Sequence, residues 1–281
     1  MTTQSKSSRS YRPIIYIILL AGCLLTLIPF IWTILASFKT HAEIINPANQ
    51  SFFPREFTTQ NYETILTDPT LPLARIYFNS IYVAVSNVIT QTFTSALFGY
   101  VFAKFHFRYK RLLFWYIVAT MMIPFQLTMI PSYLILLQFN LTNNLLGLVI
   151  LSWFNAFGIF LMRQFMINIP DELLDAARVD GANEWQIFMR IVLPQCGAIL
   201  ATFGVLVFIS NWNAYLWPLI ILRDVNVRTL PIILTWYNDQ HTANLGIQMA
   251  ASVLIVMPIL VVYLIMNRWV VRGFALSGIK G

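Results

Sequence analysis

Five of the eleven carboxylates in this 281-residue chain stand in one stretch, DELLDAARVDGANEWQIF, from Asp171 to Phe188. Asp171, Glu172, Asp175, Asp180 and Glu184 are interleaved there with Ala176, Ala177, Gly181, Ala182 and a single cation, Arg178. A polar stretch built on small residues can be an ordinary loop on a membrane surface or a shape that fits a groove on a partner. No His or Cys shares the stretch, so it sets up neither a metal site nor a nucleophile with its base. Elsewhere the three His and two Cys show no metal-ligand spacing, and no G-x-S-x-G elbow occurs. The chain has no G-x-x-x-x-G-K-[ST] loop either, and its final Gly-Ile-Lys-Gly has the wrong spacing for one. No catalytic residue, no metal ligand and no nucleotide cofactor is expected on this chain.

Local rules predict the shape of the stretch. Pro170 suits a first helical position, where its missing N–H costs little. Asp171 and Glu172 follow at the positive end of the helix dipole. Gly181 is placed to end the helix in a left-handed turn. Asn183 then caps a second helix, with Trp185, Phe188 and Ile191 about one turn apart and Pro194 closing the segment. The result is a compact polar knob: a slim helix, a sharp turn and an amphipathic helix.

The elements that must hold this knob are apolar. The composition is 58% hydrophobic and only 10% charged, against about 25% charged in soluble domains. The hydrophobic residues come in blocks long enough for membrane helices, without the alternation of barrel strands. The expectation is an all-α integral membrane protein with six transmembrane helices, at about 13–38, 76–102, 112–138, 145–167, 197–222 and 247–270. The membrane body then covers 13–270, with an N-tail at 1–12, the knob in a loop at 168–196 and a C-tail at 271–281. Residues 5–23 mimic a lipoprotein signal ending at Cys23, but the apolar run continues to Phe38, too long for such a core.

Lys and Arg set the orientation. Thirteen of the eighteen fall to the two tails, the loop after the second span and the loop after the fourth, among them Arg163. That places both termini and the knob in the cytoplasm. The net charge of +7 is thereby read as a topology signal rather than a nucleic-acid surface. No ionisable residue is expected at membrane depth, where ion-driven transporters keep their relays. Ser95, Gly99 and Ala103 recur at four-residue spacing and invite close helix packing. Pro124 and Pro131 should kink the third span.

Asp175-Ala-Ala-x-x-Asp180-Gly181-Ala182, followed by Phe188, Ile191 and Leu193-Pro194, resembles the E-A-A-x-x-D-G-A…F…I-x-L-P motif of ATP-binding-cassette importer permeases. Asp175 stands where that motif has Glu, a carboxylate one methylene shorter. NWNAYLWPLII from Asn211, RTLP from Arg228 and the terminal VRGFALSGIKG are similar to the sugar-importer branch, nearest its maltose-type second permease subunit. The resemblance implies a type I importer permease architecture. It implies that Asp175, Ala176, Ala177, Asp180, Gly181, Ala182, Phe188, Ile191 and Pro194 form a coupling element docked on an ATPase. It implies that Lys280 and Gly281 reach toward that ATPase, and that the loop after the fifth span meets an extracytoplasmic sugar-binding protein. The implied partners are a second permease subunit, two ATPase subunits carrying ATP and Mg, the binding protein and the lipid bilayer.

Asn87, Gln91, Asn155, Asn211, Asn213 and Tyr215 are the candidate pathway residues. Their neutral amides and hydroxyl offer donors and acceptors to a polyhydroxylated solute. Trp153, Trp212 and Trp217 are their aromatic companions. The same amides can instead serve as interhelical glue. A self-sufficient secondary transporter or channel for a small polar solute is the alternative function.

Overall fold

The computed structural model describes residues 12–46, 51–240 and 244–278. Every regular element among them is helical. In chain order they are α1 (Arg12–Ala36), α2 (His41–Ile45), α3 (Gln60–Thr67), α4 (Leu73–Lys104), α5 (Lys110–Thr120), α6 (Phe125–Gln138), α7 (Leu145–Ile150) and α8 (Ala156–Met166). There follow α9 (Asp171–Val179), α10 (Glu184–Ile187), a π-turn (Phe188–Val192), α11 (Leu193–Gln195), α12 (Gly197–Trp212) and α13 (Leu216–Ile221). Two 3-10 turns (Val225–Val227 and Leu230–Ile232) lead to α14 (Ile233–Gln240) and α15 (Leu245–Gly278).

Three helical segments, Ile14–Ala36, Leu73–Lys104 and Leu245–Ile265, are long and apolar enough to cross a bilayer unaided. Three of the spans expected as continuous runs are instead interrupted. α5 and α6 meet at 96°, because Pro124 at the start of α6 has no N–H to continue the ladder. Pro131, expected to kink the same span, is held inside α6. The run 145–167 is split into α7 and α8 by residues 151–155, where the Asn155 side chain accepts from the Gly158 amide and starts a new helix. The run 197–222 breaks after Trp212, at Asn213–Tyr215. Counting each bent pair as one span gives up to five crossings.

The described chain forms two compact units, one containing α1–α3 with Leu234–Val256, the other Thr70–Ile233 with the chain from Met257 onward. In the first, the buried Asn61 amide donates to the carbonyls of Ser37 (2.8 Å) and Lys39 (2.9 Å). The Ser37 and Tyr62 hydroxyls lie 2.7 Å apart, and Phe38 stacks on Phe57. The Tyr237 hydroxyl donates to Asp68 (3.3 Å), and burial, then that carboxylate, raises its pKa.

The second unit is organised on α4, whose 32 residues span about 48 Å at 1.5 Å per residue. One face of α4 is buried from Asn79 to Tyr100. The small-residue spacing does what it predicts: a Cβ placed on Gly99 would lie 2.5 Å from Met162 Cβ of α8. That approach leaves no room for a side chain. Around it Tyr100, Met162, Met166, Phe188 and Phe203 build the main apolar core.

Candidate functional site

The polar stretch from Asp171 folds as its local signals require. Pro170 precedes the first helical residue, one position earlier than expected. α9 ends in a Schellman motif: the Ala182 amide donates to Ala177 O (2.9 Å) and the Gly181 amide to Arg178 O (3.0 Å). Gly181 takes φ +87°, a conformation that disfavours any side chain. Asn183 and Gln186 then form a capping box with both bonds at 2.9 Å. Pro194 does not close the segment. The ladder widens into the π-turn, where Leu193 N donates to Phe188 O, and the chain runs on through Pro194. The 79° bend comes after Gln195 instead.

The nine residues singled out by the motif divide between two roles. Ala177 and Phe188 are buried with Leu174 and Ile187 in the main core. Leu174, Ile187 and Phe188 each contribute up to about 1.5–3 kcal/mol by burial, and the methyl of Ala177 less. Ala182 and Ile191 are half-buried against the same core. Asp175, Ala176, Asp180, Gly181 and Pro194 are exposed. Leu173 and Val179 flank Ala176 at helical spacing and are exposed too, Val179 at 88%. A Cβ on Gly181 would meet nothing within 4 Å. α9 thus buries one apolar edge and presents another.

Ion pairs brace this knob. Arg178 donates to Asp175 (2.6 Å) within α9 and to Glu184 (2.8 Å) across the glycine turn. Glu184 in turn accepts from the Tyr100 hydroxyl of α4 (2.8 Å). Lys104, at the end of α4, donates to Asp171 (2.7 Å) and to Ile169 O (2.5 Å). The Glu184 contact, then Asp175, raises the Arg178 pKa. The Arg178 bond holds Glu184 below the ordinary carboxylate range, and the Lys104 bond does the same for Asp171. Tyr100 and Lys104 escaped the sequence reading because their partners lie 84 and 67 positions away. Arg178, three residues from Asp175, carried a readable signal.

A second arrangement concerns the neutral amides. Asn155 donates to Gln91 Oε1 (2.9 Å), and Gln91 donates to Asn87 Oδ1 (3.2 Å). Gln91, Asn155 and Asn211 line one cavity of about 410 Å3 with Ser152 and Ser210. Asn87 is fully buried behind it and also donates to Val83 O. Asn213 and Tyr215 are not part of this lining. The aromatic walls are Phe154, Phe157 and Phe203 rather than the expected tryptophans. Trp212 is buried against Phe208, and Trp217 packs on Phe125. Arg163, assigned to a loop by charge counting, instead occupies the last turn of α8, with its guanidinium 4.1 Å from the Phe114 ring centre. Lys280 and Gly281 lie outside the described residues.

Residues 95–275, spanning the knob and most of the cavity lining, match the family described as "Binding-protein-dependent transport system inner membrane component". The chain belongs to that family. It is 31% identical over 258 residues to the arabinooligosaccharides transport system permease protein AraQ of Halalkalibacterium halodurans, covering 90% of this chain and 91% of the relative. It is 32% identical over 258 residues to the lactose transport system permease protein LacG of Rhizobium radiobacter, covering 92% and 93%. A solved bacterial ABC transporter involved in import of the acidic polysaccharide alginate contains a chain similar in fold, with TM-score 0.79, 26% identity and coverage of 95% and 99%. The chain is therefore a multi-pass inner-membrane permease component of a binding-protein-dependent importer, with the type I fold of that class. Family membership displaces the self-sufficient transporter or channel.

Proposed function

We propose that this permease moves a sugar or oligosaccharide by alternating access, as one of two permease subunits driven by two separate ATPases. ATP and Mg belong to those ATPases, and this chain supplies docking and the pathway wall. Six crossings place both termini and the 168–196 loop in the cytoplasm, with 1–12 and 271–281 as tails. The loop after the fifth crossing faces the extracytoplasmic binding protein.

The observation that carries this reading is the form of the knob. Its exposed Leu173–Ala176–Val179 edge and open Gly181 turn suit a close-fitting groove. Its hydrogen bond to Tyr100 and ion pair to Lys104 tie any displacement of the knob to a helix of bilayer length. Asp175, Ala176, Asp180, Gly181 and Pro194 are the docking surface in this reading. Ala177, Ala182, Phe188 and Ile191 anchor it, and Lys280 with Gly281 adds a second ATPase contact. Gln91, Asn155 and Asn211 offer neutral donors and acceptors to sugar hydroxyls, with Asn87 holding Gln91 in place and Asn213 and Tyr215 as further candidate pathway residues. The sugar names carried by similar permeases support the substrate class.

Reconstituting the complete importer in vesicles tests both parts. Gly181→Trp is expected to abolish ATP-driven uptake while the permease stays in the membrane. Gly181→Asn, which tolerates the left-handed turn, should retain most of it. Near-normal uptake and ATPase stimulation with Gly181→Trp would remove the coupling role.

A further inference from the structure

The loop between α4 and α5, the first turns of α5 and the end of α8 line a second, open cavity of about 580 Å3. Lys110, Arg111 and Arg163 all line it, and no carboxylate does. The nearby Asp171 is engaged by Lys104. Three cations in one cavity repel one another, so their arrangement demands an explanation. Lys110 donates to the carbonyls of Phe105 (2.8 Å) and Ala103 (3.2 Å), which fixes its ammonium at the wall. Burial, then repulsion from Arg163, lowers its pKa. Arg163 is held by its Nε bond to Phe102 O (3.0 Å) and by the Phe114 ring. That leaves its terminal nitrogens with no hydrogen-bonded protein acceptor among the described residues. Arg111 is exposed and has no ion pair among them.

The rim indicates what fills the cavity. Tyr109 and Trp115 line it and are 59% and 56% exposed. Leu112, Leu113 and Tyr116 of the same helix are exposed as well. Exposed aromatic side chains beside cations, at the start of an apolar helix, mark headgroup depth in a bilayer. Basic pockets between membrane helices at that depth suit phosphate headgroups. A guanidinium offers a planar fork to phosphate oxygens, and an ammonium adds a point charge.

We propose that this cavity binds the phosphate of an anionic phospholipid, held by Arg111 and Arg163 with Lys110 beside them. The site is separate from the substrate cavity and needs only the membrane location of the chain. An apolar, aromatic rim suits an amphiphile over a free anion, because the acyl chains can lie along α5.

Native mass spectrometry of the complete detergent-purified importer tests it, with phosphatidylglycerol and phosphatidylcholine of identical acyl chains as probes. The wild-type complex is expected to retain phosphatidylglycerol preferentially. Arg111→Gln should weaken that retention about fivefold, the worth of one cation at a membrane surface. Adding Arg163→Lys, which keeps the charge but removes the fork, should weaken it further. Arg111→Gln alters an exposed side chain, so the assembled complex survives to be measured. Equal retention of the two lipids, or undiminished phosphatidylglycerol binding by both variants, overturns the proposal. Displacement of the lipid by millimolar inorganic phosphate also overturns it, by revealing a small-anion site.

Discussion

The two ends of α4 hold their neighbours by different chemistry. At the Lys104 end the grip involves charge: Lys104 pairs with Asp171, and the neutral Tyr100 hydroxyl donates to a Glu184 already paired to Arg178. At the Leu73 end it is neutral and buried. The Asn79 amide donates to the carbonyls of Asn226 and Arg228 (2.9 Å each), and Ser80 Oγ accepts from the Leu230 amide (2.7 Å). Ionic contacts near solvent are individually weak and respond to pH and salt. Buried neutral hydrogen bonds are costly to break, because the stranded groups stay desolvated. One helix therefore grips the 224–230 loop rigidly and the polar knob adjustably.

The contrast can be broken at several points. The largest effect is expected where the helix meets its neighbour most closely. Gly99→Leu should destabilise the permease by about 3 kcal/mol or more through overpacking against Met162, read as a lower unfolding temperature of the complex. Next is Asn79→Leu, which removes one donor from two carbonyls at a nearly closed site. It should cost about 1–3 kcal/mol and speed hydrogen exchange at residues 225–232 while leaving 171–188 unchanged. Equal changes in both regions would erase the distinction between the ends. Glu184→Gln should cost about 1 kcal/mol at most, since the pair is partly exposed. Its exchange increase should be confined to the knob. Asp175→Ala should be smallest, because Arg178 keeps Glu184.

A pH titration probes the carboxylates of both ends without mutation. Glu184 and Asp171 have folded pKa values below their ordinary ones. Their contribution is complete above the ordinary carboxylate range, near pH 4, and is lost as pH falls through the depressed folded values. Acidification through that window should loosen the knob, seen as faster exchange at 171–188. The Asn79 and Ser80 bonds carry no titrating group and should hold, whereas the 225–227 turn, capped by an Asp224 that Asn226 also holds below its ordinary pKa, should loosen with the knob.

Much of the knob was legible because its bonds are short in sequence. The Schellman turn closes over five residues and the capping box over three. The carboxylates of the first turn and Gly181 obey rules that apply to any helix end. The spans were legible as apolar runs but not as continuous helices. Hydropathy does not register that Asn155 can start a helix inside an apolar run. Nor does it reveal that Arg163 can sit in the last turn of α8 by stacking on Phe114.

The sequence by itself therefore determined the membrane class, the family motif and the local form of the 170–186 segment. In each case the cause lies in composition or in contacts between near neighbours. Only the tertiary structure decided that Ala177 turns inward while Ala176 faces out. It alone selected Gln91, Asn155 and Asn211 to share a cavity and left Asn213 and Tyr215 outside its lining. It alone joined Tyr100 to Glu184. Those outcomes follow from how α4 packs against α8 and the knob, and such packing depends on pairs of residues tens of positions apart, which no single stretch of chain encodes.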